Sequence, residues 1–430
     1  MSKIKIDVSG LLTEASLLDF PPVASDKTLA KSTLTHWTEN SSSAVYSGYK
    51  EHALKKSGLR ESLSLAQKFS EKFKTLVILG IGGSALGAKA ILNALAPTKN
   101  KVIICDNLDP VDFHTAICSL NFESTCFAVI SKSGGTVETV SQLGVILGLL
   151  SEKSLEIKKH IVAITDPQSG SLNKWAATYQ IPTLHIPTSV GGRFSVFTPV
   201  GLFPLAFAGL DIETFLENAS NEFQSPSKET WDLGQRIFDC EKGGARAHSF
   251  WPYGTGLLGV GQWFVQLWGE SLGKISKTGE RVGTLPIPGV GATDQHSFLQ
   301  MLMEGRKNTI SGFLKVGKWP STQDSKTRVP KLPQEFESLY YLENRSFGEI
   351  LNAELDATEQ ALKNSFRPTY RIELEELSIA SLGSLMAFMM TLTSYTGALL
   401  KINPYDQPGV EAGKVILKKL LSTKKETRSL

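Results

Sequence analysis

The sequence predicts an α/β protein with doubly wound parallel sheets, and three observations carry that expectation. Short β-branched runs at residues 76–79, 102–105, 127–130, 161–165 and 183–186 are mostly apolar. The intervals between them are helix-sized, and residues 84–95 and 136–150 repeat their apolar positions at helical spacing. The runs at 76–79 and 127–130 each end in a glycine-rich loop. Strands that are apolar without alternation are buried on both faces, as in a parallel sheet covered by crossover helices.

Taken in order, residues 1–65 are expected to form an N-terminal helical extension around the core. Residues 66–228 read as a first α/β domain, with the polar interval at 218–228 as its boundary. Residues 229–430 read as a second α/β domain with a C-terminal helix. Within it, 254–273 is a Trp-rich apolar helix, 286–291 and 307–316 are strands and loops, and 370–400 and 410–421 are helices. The stretch 377–400 carries no charged side chain, yet it is dense in serine, threonine and glycine. That composition predicts a buried core or subunit-interface helix rather than a membrane span.

Composition narrows the class. The chain has 430 residues, 45 Lys+Arg against 42 Asp+Glu, a net charge of +3 and only 20% charged residues. Neither a disordered polyelectrolyte nor a polybasic nucleic-acid binder is expected. Four cysteines (Cys105, Cys118, Cys126, Cys240) form no CxxC pair and no metal-type spacing, which fits a reducing compartment. Lys3, Lys5, Asp7 and Glu14 interrupt the apolar residues of the N-terminus, so no signal peptide is expected. The reading is a soluble, cytoplasmic protein with no membrane and no nucleic-acid partner.

Two loops suggest a phosphate. The first runs Gly80-Ile81-Gly82-Gly83-Ser84-Ala85-Leu86-Gly87 into a helix, where free N–H groups and the dipole favour an anion. It contains a GxGxxA match with Asp106 downstream, so a dinucleotide site is also open. The second loop, Ser131-Lys132-Ser133-Gly134-Gly135-Thr136, alternates hydroxyls with glycines at a helix start. Ser131, Ser133 and Thr136 can donate to phosphate oxygens, and no Walker arrangement is present. A dinucleotide protein needs no such second loop, whereas a monophosphate sugar site does. Two loops at the carboxyl ends of neighbouring strands make a stronger case than either alone.

Several charged groups could move protons. Glu270 closes an apolar, tryptophan-containing run, a setting expected to raise its pKa and suit it as a general base. An exposed i,i+4 pair with Lys274 is the plainer alternative. Gln266, Glu270 and Lys274 share a helical face. His296 is expected in the first turn of a helix, where the dipole keeps the ring neutral. Lys414 falls on an apolar stripe with Val410, Leu417 and Leu421. Arg193, after Gly191 and Gly192, offers a fixed guanidinium for an anion or a developing oxyanion.

On these motifs the chain resembles the glucose-6-phosphate isomerase (phosphoglucose isomerase) family. The selective stretches are Val-Gly-Gly-Arg-Phe-Ser at 190–195 and Tyr-Asp-Gln-Pro-Gly-Val-Glu-Ala-Gly-Lys at 405–414. The two loops, Gln-Leu-Trp-Gly-Glu-Ser-Leu-Gly-Lys at 266–274 and Asp-Gln-His-Ser-Phe at 294–298 support them. The resemblance implies two sugar-isomerase (SIS-type) doubly wound parallel-sheet domains with surrounding helices. It further implies a homodimer with its active site at the subunit junction. The implied reaction converts glucose 6-phosphate to fructose 6-phosphate through a cis-enediolate, without cofactor or metal.

Carried over by motif, Glu270 is the base, Arg193 stabilises the intermediate, and His296 (from the neighbouring subunit) and Lys414 serve ring opening. Ser131, Ser133 and Thr136, backed by Lys132, hold the phosphate, while Gly83, Ser84, Gln266 and Gln407 line the sugar. One departure stands out: Gly135 replaces a threonine usual in the phosphate loop, which removes a hydroxyl. Alternatives are an isomerase that also takes mannose 6-phosphate, a non-catalytic sugar-phosphate-binding module, and a nicotinamide dehydrogenase resting on Gly80, Gly82 and Asp106.

Overall fold

The structure, a computed structural model, describes residues 3–39 and 46–423. Parts of the expected N-terminal extension (1–2 and 40–45) and of the C-terminal region (424–430) lie outside the described residues.

The chain begins with β1 (Ile4–Asp7), passes through helices, and then lays down β2 (Thr75–Leu79), β3 (Lys101–Cys105), β4 (Thr125–Ser131), β5 (Ile161–Thr165) and β6 (Thr183–His185). These last five form one parallel sheet in the order β3-β2-β4-β5-β6. Every residue of β4 and β5 is buried, as expected of strands covered on both faces. Helix α1 (Leu86–Ala94) follows β2 and α2 (Val137–Glu152) follows β4. The strand order reverses between β2 and β4, so the crevice beyond their carboxyl ends is the switch point where doubly wound sheets bind ligands. Both glycine loops open there.

The second sheet is built from β7 (Ala247–Pro252), β10 (Leu285–Pro288), β11 (Thr309–Val316) and β12 (Thr369–Leu374), joined at its edge by β1. A short hairpin, β8 (Lys274–Ile275) with β9 (Arg281–Val282), precedes β10. Within the sheet β7, β10, β11 and β12 run parallel, while β1 pairs antiparallel with β12. Helix α3 (Leu258–Leu272) follows β7 and carries Gln266 and Glu270.

Three expectations need correction. The N-terminal region is not helical alone, because Ile4–Asp7 completes the second sheet. Residues 370–374, expected to begin a helix, belong to β12, since their alternating burial suits a position between β1 and β11. The interval at 218–228 is helical as far as Gln224 and turns only over 225–227 before the next helix, Lys228–Lys242.

Helix α4 (Ile379–Leu399) is long and apolar enough to cross a membrane, but 89% of its most apolar window is buried inside the protein. Its hydroxyls tolerate the core because they bond back one turn: Thr391 to Ala387, Thr393 to Met389 and Thr396 to Leu392, at 2.7–3.0 Å. The last described element is α5 (Glu411–Thr423), whose described side chains are exposed.

Candidate active site

The loop between β2 and α1 turns tightly over Gly82–Ser84, with Gly82 in the left-handed region at φ 57°. At Gly83 a β-carbon would lie 2.2 Å from the Gly192 carbonyl carbon, so only glycine lets this loop rest on the arginine loop. Ser195 stitches the two together, its hydroxyl lying 2.6 Å from the Gly192 carbonyl oxygen and 3.2 Å from that of Gly83.

The loop between β4 and α2 converges three hydroxyls. Thr136 Oγ1 lies 2.8 Å from Ser131 Oγ and 3.4 Å from Ser133 Oγ. Thr136 is the N-cap of a 16-residue helix but makes no side-chain cap bond, so its hydroxyl faces the other two. Gly134, at φ 68°, donates its N–H to Ser131 Oγ at 3.1 Å. Ser133, Gly135 and Thr136 line a cavity of about 580 Å³ together with Lys414, Leu417 and Leu421. Lys132 departs from expectation. Its ammonium donates not to these hydroxyls but to the Thr188 and Val190 carbonyls, at 2.8 and 2.7 Å.

Arg193 is the hub of the site. Burial pulls its pKa down, against the opposing charge of Glu270, and each of the guanidinium's five N–H groups finds a partner. Nε donates to Ser271 Oγ at 2.7 Å. One Nη1 hydrogen goes to Glu270 Oε2 at 3.2 Å and the other to Gln407 Oε1 at 2.5 Å. Nη2 donates to the Pro404 and Asp406 carbonyls at 2.6 and 2.8 Å. One arginine thus gathers the 190–195 loop, α3 and the 404–407 loop.

Glu270 Oε1 accepts from Gln266 Nε2 at 3.2 Å. The carboxylate keeps 31% of its side-chain surface, while Trp263 and Trp268 are buried in the core. The apolar enclosure expected of Glu270 is therefore replaced by a cation and an amide. Gln266 Oε1 is buried with no hydrogen-bond partner among the described residues, whereas buried polar atoms are normally paired. Lys274 lies beyond the end of α3 and pairs with Asp406 at 2.7 Å instead of with Glu270. Burial lowers its pKa, with Asp406 opposing. Glu270, Gln407, Lys274 and Asp406 line a cavity of about 780 Å³.

Two expected residues stand apart. His296 is the last residue of a short turn, Thr293–His296, not the first turn of a helix, so the dipole argument does not apply to it. Its side chain is exposed and has no hydrogen-bond partner among the described residues. Lys414, near the start of α5, pairs with Glu411 at 2.7 Å and faces the hydroxyl loop. The apolar stripe expected for it holds at Leu417 and Leu421, which line the same cavity.

Sequence reasoning missed Ser271 and the carbonyls of Pro404 and Asp406. A backbone acceptor has no residue signature, though the 405–414 motif pointed at the segment. Asp106, the dinucleotide alternative's acid, is paired with Lys89 at 2.8 Å. No cluster of three His, Cys, Asp or Glu side chains suited to a metal occurs among the described residues.

The family pattern described as phosphoglucose isomerase matches residues 61–430. The chain is 37% identical over 377 residues to a glucose-6-phosphate isomerase of Rubrobacter xylanophilus, covering 83% of this chain and 85% of that one. Its structure is similar to that of a hypothetical protein from Thermus thermophilus, with a TM-score of 0.85, 30% identity and coverage of 97% and 99% of the two chains. It is also similar to a glucose-6-phosphate isomerase from Chlamydia trachomatis, with a TM-score of 0.75, 25% identity and coverage of 89% and 75%.

Proposed function

The chain belongs to the phosphoglucose isomerase family, and from that premise we propose how its residues interconvert glucose 6-phosphate and fructose 6-phosphate. The enzyme is an aldose–ketose isomerase. One observation carries the assignment of the base: Glu270 is held between Arg193 and Gln266 yet remains accessible from a cavity.

With the sugar open, the Glu270 carboxylate removes the proton on C2. The electron pair forms the C1–C2 double bond, and the former aldehyde oxygen takes the negative charge. The same carboxyl returns the proton to C1, while the hydroxyl proton of O2 passes to O1, leaving the ketone at C2. Arg193 stabilises the enediolate chiefly by its charge, since its N–H groups are already engaged. A sugar hydroxyl is the donor that buried Gln266 Oε1 lacks. Gln407 lines the cavity with Glu270, and Gly83 and Ser84, on the loop that rests against the Arg193 loop, are assigned to the sugar by their motif.

The phosphate rests on Ser131, Ser133, Thr136 and the amides that open α2, with Lys414 across the cavity. A small phosphosugar held this way requires no basic surface, in keeping with a net charge of +3. His296 serves ring opening from a neighbouring subunit of a homodimer, a role supported by its exposure in one chain. The setting is the cytoplasm and the pathway glycolysis and gluconeogenesis.

Glucose 6-phosphate deuterated at C2 tests the reading. Loss of label to water during turnover is expected. Product formed with full retention points to hydride transfer and removes Glu270 from its role.

A further inference from the structure

The geometry points to Lys132 as a positioning residue that ties the phosphate-binding hydroxyl loop to the Arg193 loop; this rests on the isomerase reading above and deepens it. The 188–190 segment, which leads directly into Arg193, has three successive carbonyls held from two sides. Lys132 Nζ takes those of Thr188 and Val190, at 2.8 and 2.7 Å. The Gly48 N–H takes that of Ser189 at 2.9 Å. The side chain of Ser189 is fixed as well, its hydroxyl 3.1 Å from His52 Nε2, and Val190 forms a bridge with Ser47. Gly48 has to be glycine, since a β-carbon there would meet Ser189 Oγ at 2.3 Å. The N-terminal region, without a recognisable motif, thus supplies one jaw of a clamp and Lys132 the other.

Lys132 suits the task for three reasons. Its backbone is part of the hydroxyl loop, between Ser131 and Ser133. That backbone is itself anchored, with Thr165 Oγ1 donating to the Ser131 carbonyl at 2.7 Å. The ammonium packs 4.3 Å from the centroid of the Tyr46 ring, a cation–π contact that closes it off on a further side. Burial brings its pKa down to about 8, with Asp166 opposing, so the cation is retained at neutral pH. A loop that seats phosphate is therefore joined through a single side chain to the loop that carries the enediolate's cation. Stabilisation of a transition-state charge depends steeply on such registration.

The test compares wild type with Lys132→Met, which keeps a stem against Tyr46, and with Lys132→Arg, which keeps donors for two carbonyls. The readouts are kcat and KM for fructose 6-phosphate, the inhibition constant of inorganic phosphate, and hydrogen exchange of the Val190, Phe194 and Ser195 amides. The expected result for Lys132→Met is a fall in kcat of roughly 30- to 100-fold. KM and the phosphate constant stay within about threefold, and exchange at those amides rises; Lys132→Arg recovers part of both.

A tenfold weakening of phosphate inhibition with kcat preserved would overturn the inference and make Lys132 a direct phosphate ligand. Unchanged kinetics and unchanged exchange would overturn it too. A wild-type chain without isomerase activity removes the functional reading alone, because amide exchange still decides the tether. If Lys132→Met does not fold, the same comparison is made with Lys132→Arg, where a smaller fall in kcat together with a smaller rise in exchange supports the tether, and unchanged values of both or a phosphate-only defect overturn it.

Discussion

Arg193 and Glu270 meet at 3.2 Å where the 190–195 loop crosses α3, the arginine side chain fully buried and the carboxylate with 31% of its surface open. The asymmetry separates their tasks. The cation is locked by neighbours and cannot wander, while the carboxylate is steadied yet reachable. Glu270→Gln keeps the shape and an oxygen for Arg193, but an amide cannot take a proton from carbon. A fall in kcat of about 10²- to 10⁴-fold is expected, with little change in melting temperature. Stopped-time assays and thermal melts on the same preparations decide it, and a variant near wild-type rate would deny Glu270 its role.

Replacing the other partner affects stability as well. Arg193→Lys preserves the charge but has three N–H groups for five acceptors spread over Ser271, Glu270, Gln407, Pro404 and Asp406. Breaking a buried, fully bonded cation typically costs about 3–5 kcal/mol. The variant should unfold at clearly lower denaturant and lose about 10²-fold or more in kcat. Equilibrium unfolding in urea beside steady-state kinetics checks both; a stable variant with a normal rate contradicts the hub assigned to Arg193.

At Gly135 the structure leaves room. A β-carbon there would meet nothing within 4 Å, and the residue is not in the left-handed region. Gly135→Thr should therefore fit without strain and add about 0.4–1 kcal/mol of stability by narrowing the unfolded chain. Its hydroxyl would join those of Ser133 and Thr136 around the cavity. A KM for fructose 6-phosphate lower by roughly 3- to 10-fold is expected, in line with one added hydrogen bond. A KM unchanged or raised would show that the phosphate does not sit against this turn.

Legibility in the sequence followed what is local. The apolar runs of β2, β4 and β5 are readable because strands buried on both faces leave an apolar signature without alternation. β1 was not, because Ile-Lys-Ile-Asp gains its strand character only by pairing with β12. β12 itself lies close in sequence to the apolar α4 and reads as its continuation, though its side chains alternate between buried and half-buried. In the site, the residue types of the motifs pointed to Arg193, Glu270 and Gln407, which the fold brings together. The tryptophans misled, since proximity in sequence to Trp263 and Trp268 does not place the carboxylate among their rings. Lys132 was legible as a residue but not as a contact, because its partners are carbonyls 56 and 58 positions away.

A pH effect away from the site is open to direct measurement. His248 is fully buried against Phe264, Trp268 and Tyr370, with Nε2 at 2.8 Å from the Tyr370 hydroxyl. Burial alone pushes its pKa down to about 3, against about 6.5 for a free side chain. Between those values the unfolded chain binds a proton that the folded chain refuses, so stability falls as pH drops below about 6.5. From pH 7 to pH 5 this one group should account for about 2 kcal/mol. His248→Gln can keep a hydrogen bond to Tyr370 but cannot take up the proton. Its unfolding free energy should thus decline less than that of wild type over the same interval, whatever its value at pH 7. Urea unfolding of both proteins at pH 7 and pH 5 measures the difference; parallel declines would mean that His248 accepts its proton in the folded state.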